Sequence, residues 1–130
     1  MQDNGPTTRI MEFDTIMSDC LFCKMASGEI SPDTLYEDDD VLAFRDINPQ
    51  APSHFLVIPK RHISTLNDLQ EGDEALVGKM FLAAKKVAAD LGEAEAGFRT
   101  VMNCNSDGGQ TVFHIHLHVL AGRAMTWPPG

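Results

Sequence analysis

The sequence predicts an α+β domain built on a mainly antiparallel sheet. Three observations carry that prediction: a hairpin of two short strands around an acidic turn, one long helical stripe in mid-chain, and two further strands joined by a segment rich in turn formers. Met1 to Met17 lacks sustained periodicity and contains Gly5-Pro6, so it reads as a leader with no fold of its own, ahead of one domain spanning 18–130. Ser18 or Asp19 is the expected cap of a short helix that runs to about Ser27 and stops at Gly28. Thr34 to Glu37 and Val41 to Arg45 form the hairpin across Asp38-Asp39-Asp40. Beyond the rigid loop Asn48-Pro49-Gln50-Ala51-Pro52, the segment His54 to Pro59 is nearly continuously apolar and reads as a central, doubly covered strand. From Asp73 to Leu91, Leu76, Met80, Val87 and Leu91 fall near one helical stripe, Ala83, Ala84 and Ala88 permit close approach, and Gly92 ends the helix. Phe98 to Asn103 and Val112 to Ala121 complete five strands.

Composition narrows the function classes. At 130 residues, with 43% hydrophobic and 22% charged residues, the chain has the make-up of one globular domain. Ten Lys plus Arg against 19 Asp plus Glu give a net charge of -9, which leaves no broad basic surface for nucleic acid or anionic lipid. Any phosphate must therefore be held locally. No segment approaches the roughly 20 apolar residues of a membrane span, and no apolar signal-peptide core is present near Met1. Three cysteines, an odd number, fit a reducing compartment, so a soluble cytoplasmic protein is expected.

The chemistry is concentrated in His114-Ile115-His116-Leu117-His118-Val119. On a strand, His114, His116 and His118 share one face while Phe113, Ile115, Leu117 and Val119 point into the core. An imidazole is a competent nucleophile toward phosphorus at neutral pH, because much of it is unprotonated and its phosphoryl adduct is a good leaving group. Neighbouring imidazoles can hydrogen-bond the phosphoryl oxygens where charge accumulates, so the reaction requires no metal. Beside this strand, Gly108 and Gly109 can adopt the dihedrals of an anion-binding nest, although a plain turn explains Asp107-Gly108-Gly109 equally well. Asp46, placed after Phe44 and before a loop, can accept both hydroxyls of a ribose or stand as a solvated loop carboxylate.

Taken together, the triad, Asn103 with Ser106-Asp107-Gly108-Gly109-Gln110, the stretch Phe44 to Lys60, and the closing Trp127-Pro128-Pro129-Gly130 resemble the histidine triad (HIT) superfamily, in its Hint branch of nucleotide-binding phosphoramidases. The resemblance covers about Asp19 to Gly130. It implies a HIT-like fold that pairs into a twofold dimer with one continuous sheet and with the C-terminal tail near the partner's site. It implies hydrolysis of a P-N bond in a purine nucleoside phosphoramidate, of the adenylyl-lysine type. His116 is then the nucleophile that carries the nucleotide, His118 and His54 contact the phosphate, and His114 supports them. Residues matching Asn103, Gly109 and Val112 approach the phosphate and leaving group, and Thr111 stands where Ser is common. Phe22, Phe44 and Ile47 match the purine pocket, with Leu21 and Met25 beside it, and core packing remains the competing account of Phe22. In some members two cysteines placed like Cys20 and Cys23, a histidine at the position of His62, and the first triad histidine, here His114, hold a structural zinc; the alternative is two reduced thiols and an exposed His62. Two other functions stay open: a metal-dependent hydrolase with an ion on His114, His116 and His118, and a non-catalytic nucleotide sensor.

Overall fold

A computed structural model describes residues 19–130, so the expected leader, 1–17, and Ser18 lie outside the described residues. The chain runs α1 (Leu21–Ala26), β1 (Thr34–Glu37), β2 (Val41–Arg45), β3 (Ser53–Pro59), a 3-10 turn (Leu66–Asp68), α2 (Glu74–Asp90), β4 (Phe98–Val101), a single helical turn α3 (Asn105–Gly108) and β5 (Leu117–Ala121). All five strands join one antiparallel sheet in the order β1-β2-β3-β5-β4.

Local chemistry explains most of these boundaries. The cap of α1 is Cys20, whose Sγ accepts the Cys23 N–H at 3.4 Å, in place of the expected Ser18 or Asp19. In the acidic turn, Asp38 Oδ1 accepts the N–H groups of Asp40 at 2.8 Å and Val41 at 2.9 Å, which closes the β1-β2 hairpin. Thr65 and Asp68 form a reciprocal capping box around the 3-10 turn. β3 is the central strand, and its two faces organise the molecule. Val41, Ala43, Phe55, Val57, Leu117 and Val119 lie under the buried side of α2, formed by Met80, Ala83, Ala84, Val87 and Ala88. Leu42, Phe44, Leu56 and Ile58 form a second apolar layer, covered by Phe22 of α1. Full burial of each large side chain contributes roughly 1.5–3 kcal/mol, so the α2 face carries most of the stability.

Two expected strands are shorter than predicted, and one difference matters for function. β4 ends at Val101 rather than Asn103, and β5 starts at Leu117 rather than Val112. The ladder to β5 stops while β3 continues beside β2: Val57 pairs with Leu117, and two residues on, Pro59 has no N–H to offer residue 115. Ile115 N–H bonds instead to the Ile63 carbonyl at 2.7 Å. His114 and His116 therefore sit on irregular backbone, strand alternation does not govern them, and Phe113 is exposed instead of facing the core. Among the described residues, no helix is long and apolar enough to cross a membrane.

Candidate active site

A cavity of about 550 Å³ opens on the face covered by α1. Its floor follows from register: Phe44, Leu56 and His118 are successive partners across β2, β3 and β5, so an aromatic ring, an aliphatic chain and an imidazole lie in one row. His54 occupies the same face two residues before Leu56. Phe22 closes the cavity, with its ring edge-on to Phe44 at 5.6 Å and to His116 at 5.2 Å. Leu21, Met25, Asp46, Thr111 and Val112 complete the part of the wall nearest the imidazoles.

The hydrogen bonds assign a tautomer to each histidine. His116 Nδ1–H donates to the His114 carbonyl at 2.8 Å, which leaves Nε2 of His116 as the atom with a free lone pair. His54 Nδ1 accepts the Gln50 N–H at 3.0 Å, so Nε2 carries the proton and donates it to His118 Nδ1 at 2.9 Å. His118 then has one N–H left, on Nε2. Asp46 braces the pair, with Oδ2 3.4 Å from His54 Nε2 and Oδ1 accepting the Asn48 N–H at 2.8 Å. The rings of His116 and His118 stand 4.9 Å apart. Burial holds all of them neutral. It lowers His118 to about 4, helped by His116 and His54; His116 and His54 are also lowered by burial, with the Asp46 carboxylate opposing in both.

His114 behaves differently from its two siblings. It does not line the cavity; its ring is fully buried, Nε2–H donates to the Pro59 carbonyl at 2.7 Å, and burial lowers it to about 4. Nδ1 is thereby left unprotonated, 3.4 Å from Cys20 Sγ and 3.5 Å from Cys23 Sγ. His62 Nδ1 lies 3.2 Å from Cys23 Sγ, and its Nε2 is 3.2 Å from Ser64 Oγ. The four donor atoms of Cys20, Cys23, His62 and His114 all lie within 4.8 Å of one another. A Cys₂His₂ set at this spacing, with a bare nitrogen already pointing inward and the opposite nitrogen anchored on a carbonyl, fits a tetrahedral soft cation. The set His114, His116 and His118 does not converge, so a catalytic ion on those three finds no site. Asp46, His54 and His118 do converge within 4.8 Å. An ion on His54 Nε2 would nevertheless force a proton onto Nδ1, head-on to the Gln50 N–H, and the trio is thus arranged for hydrogen bonding.

Ile47 does line the cavity, at its rim, and is 99% exposed. Two other expected residues fall elsewhere. Asn103 and Gly109 do not line the cavity. Gly109, at φ +82°, caps α3 and donates its N–H to the Ser106 carbonyl at 3.0 Å, so the turn reading of Asp107-Gly108-Gly109 describes this segment. Asn103 packs against Gly108 from behind. Sequence reasoning missed Gln110, which is buried and holds the irregular segment from both sides. Its Nε2 donates to the carbonyls of Ser64 at 2.8 Å and Val112 at 3.1 Å, and its Oε1 accepts the Asn105 N–H at 2.9 Å. A polar side chain among turn formers gives no signal of burial. The Gln50 N–H and the Pro59 carbonyl, being backbone, give none either.

The family described as HIT domain matches residues 27–125. The chain belongs to the HIT family. Within that family it is 49% identical over 105 residues to the purine nucleoside phosphoramidase of Escherichia coli, a match that covers 81% of this chain and 88% of that protein. A HIT family hydrolase from Legionella pneumophila superposes with a TM-score of 0.84 at 56% identity, covering 86% of this chain and all of the other. A zinc-bound histidine triad family protein from Mycobacterium smegmatis superposes with a TM-score of 0.70 at 34% identity, covering 82% of this chain and 77% of the other. These findings put the chain among the HIT hydrolases, and the fold class expected from the sequence, an α+β HIT-like domain on a five-stranded antiparallel sheet, is the one observed.

Proposed function

We propose that this HIT protein hydrolyses the P-N bond of purine nucleoside phosphoramidates through a nucleotidyl group carried on His116. The observation that carries the reading is the His116 Nδ1–H bond to the His114 carbonyl, because it leaves Nε2 unprotonated at the edge of a nucleotide-sized cavity. Asp46 is suited to accept the ribose hydroxyls, and Phe22, Phe44 and Leu56 to enclose the base. In the first step the Nε2 lone pair forms a bond to phosphorus while the P-N bond breaks. The amine departs with that electron pair and takes a proton from water at the open edge, next to Thr111. His118 Nε2–H stabilises a phosphoryl oxygen during both steps. Water then displaces His116, giving up its proton to the hydroxide left by the first step, and AMP or GMP is released. The relation to the Escherichia coli phosphoramidase supports this bond class over phosphoanhydrides or esters.

The test is a substrate panel of P-N, phosphoanhydride and phosphate-ester bonds, together with mass spectrometry of protein quenched during turnover. The expected result is preference for P-N substrates and a nucleotidyl mass on the His116 peptide. Undiminished turnover by His116→Ala refutes the assignment.

The same reading gives Cys20, Cys23, His62 and His114 a structural zinc, supported by the inward Nδ1 of His114 and by the zinc-bound relative. Four protein ligands leave such an ion no open position for chemistry. These residues would use it to tie α1 to the irregular segment ahead of β5. Catalysis itself calls for no cofactor. The edge strand β4, which leaves Phe98 exposed, supports pairing of two copies into a continuous sheet, which sedimentation will test.

A further inference from the structure

The His54–His118 pair is a donor of fixed direction, set by Gln50 at the cavity wall, and the side chain that holds Gln50 lies outside the cavity. A neutral pair of imidazoles shares one proton between His54 Nε2 and His118 Nδ1 and places a second either on His54 Nδ1 or on His118 Nε2. The Gln50 N–H, at 3.0 Å from His54 Nδ1, occupies the first position and so sends the second proton to His118 Nε2, the side left for a phosphoryl oxygen. Gln50 belongs to the loop Asp46 to Pro52. Within that loop, its side-chain Nε2 donates to the Asn48 carbonyl at 3.0 Å and Asp46 Oδ1 binds the Asn48 N–H. The tie from outside comes from the segment after β5. Arg123 Nη2 donates to the Gln50 carbonyl at 3.1 Å and Nη1 to the Ala124 carbonyl at 3.3 Å. One residue earlier, Gly122 lies so close to Pro52 that a Cβ there would stand 2.7 Å from the ring. The tail thus presses on one end of the loop and holds the carbonyl of the very residue whose N–H sets the tautomer.

We propose that Arg123 is a positioning residue for the phosphoryl-binding donor of this site, acting through the Gln50 peptide on His54 and through His54 on His118. The proposal rests on the hydrolase reading for its kinetic arm only. When Arg123 is removed, the Gln50 N–H is free to turn to water, and His54 Nδ1 becomes able to take a proton of its own. The neutral pair then spends part of its time reversed, with a bare His118 Nε2 facing the anionic phosphoryl group. Acidification restores the donor, because a third proton fills both outer positions. The groups that face the pair and shape this titration are Asp46, 3.4 Å from His54 Nε2, and His116, whose ring is 4.9 Å from that of His118. The signature is a loss that is largest at alkaline pH and fades below the ordinary imidazole range.

The experiment compares the full-length protein with Arg123→Ala and Arg123→Lys. Arg123 is exposed, so both variants fold, with melting within about 4 °C of the parent. Expected for Arg123→Ala is a kcat lower by about fivefold at pH 8, the equivalent of one hydrogen bond of roughly 1 kcal/mol, and within twofold of the parent at pH 4, where the third proton is bound, with KM little changed. Arg123→Lys recovers most of the loss because it keeps a donor. Independently of turnover, ¹⁵N imidazole spectra of the parent show His54 with bare Nδ1 and His118 with bare Nδ1, and Arg123→Ala shows both tautomers. An unchanged tautomer in Arg123→Ala, or a loss equal at both pH values, overturns the proposal. A parent that binds AMP with the stated tautomers yet cleaves no phosphoramidate overturns the hydrolase reading instead and leaves the spectroscopic arm to decide this one.

Discussion

Replacing Gln110 by alanine tests how the irregular segment ahead of β5 is held. The side chain is 7% exposed and makes three hydrogen bonds, two donated to carbonyls and one accepted from an N–H. With each bond worth a net ~1 kcal/mol, the loss is about 3 kcal/mol, a large part of the 5–15 kcal/mol that holds a typical domain and yet short of unfolding it. In urea, with a slope of about 1.5 kcal/mol/M, the midpoint drops by roughly 2 M. Gln110→Glu sharpens the test, since the carboxylate still accepts from Asn105 but now opposes the Ser64 and Val112 carbonyls. Its destabilisation at pH 7 is at least as large and diminishes on acidification as the acid form regains a donor. Turnover in either variant falls further than AMP affinity, because the segment between Gln110 and Leu117 carries His116. Midpoints for both variants within about 0.5 M of the parent would refute the reasoning.

His116→Ala removes the nucleotidyl adduct and lowers kcat by at least about 10³-fold while calorimetry still registers AMP binding, since the cavity walls remain. Cys23→Ser reduces bound zinc from one ion per chain to a small fraction, as measured by elemental analysis of protein purified without chelator, and lowers the melting temperature. Gly122→Ala places a side chain at φ +94° and 2.7 Å from the Pro52 ring, which costs at least ~2 kcal/mol in denaturant unfolding. Stability also falls on acidification. His118 is held near 4 when folded and returns to about 6.5 when unfolded, so its contribution is complete above pH 6.5 and is lost as the pH drops toward 4, by at most ~3 kcal/mol. Urea titrations at pH 7 and pH 4.5, with His118→Gln as the control, check both sign and size.

Much of this architecture was legible in the residues because periodicity and turn chemistry agreed. β1, β2 and α2 fall where the hairpin and the helical stripe predict them, within a residue or two. The prediction failed where a neighbour decided the outcome. Val112 to Ala121 has the alternation of a strand, but its first half lost its partner at Pro59, a constraint that is visible only when β3 and β5 are known to pair in that register. The consequence reached the candidate site, since His114 separated from His116 and His118 and joined Cys20, Cys23 and His62. His54, Asp46, Phe22 and Phe44 converge with His116 and His118 around one cavity, whereas Gly109 is occupied by its own turn. Gln110 escaped notice because nothing in a run of small polar residues marks one of them as buried.

The unequal covering of the sheet has an evolutionary consequence. Seventeen residues of α2 seal one side, while six residues of α1 roof the other. Sequence drift in that short roof and in the loop from Ile30 to Asp33 can reshape the chamber beneath it and retune which purine or amine is admitted, while the thick side continues to guarantee that the chain folds. A scaffold divided in this way lets new selectivities be sampled at little risk to the whole.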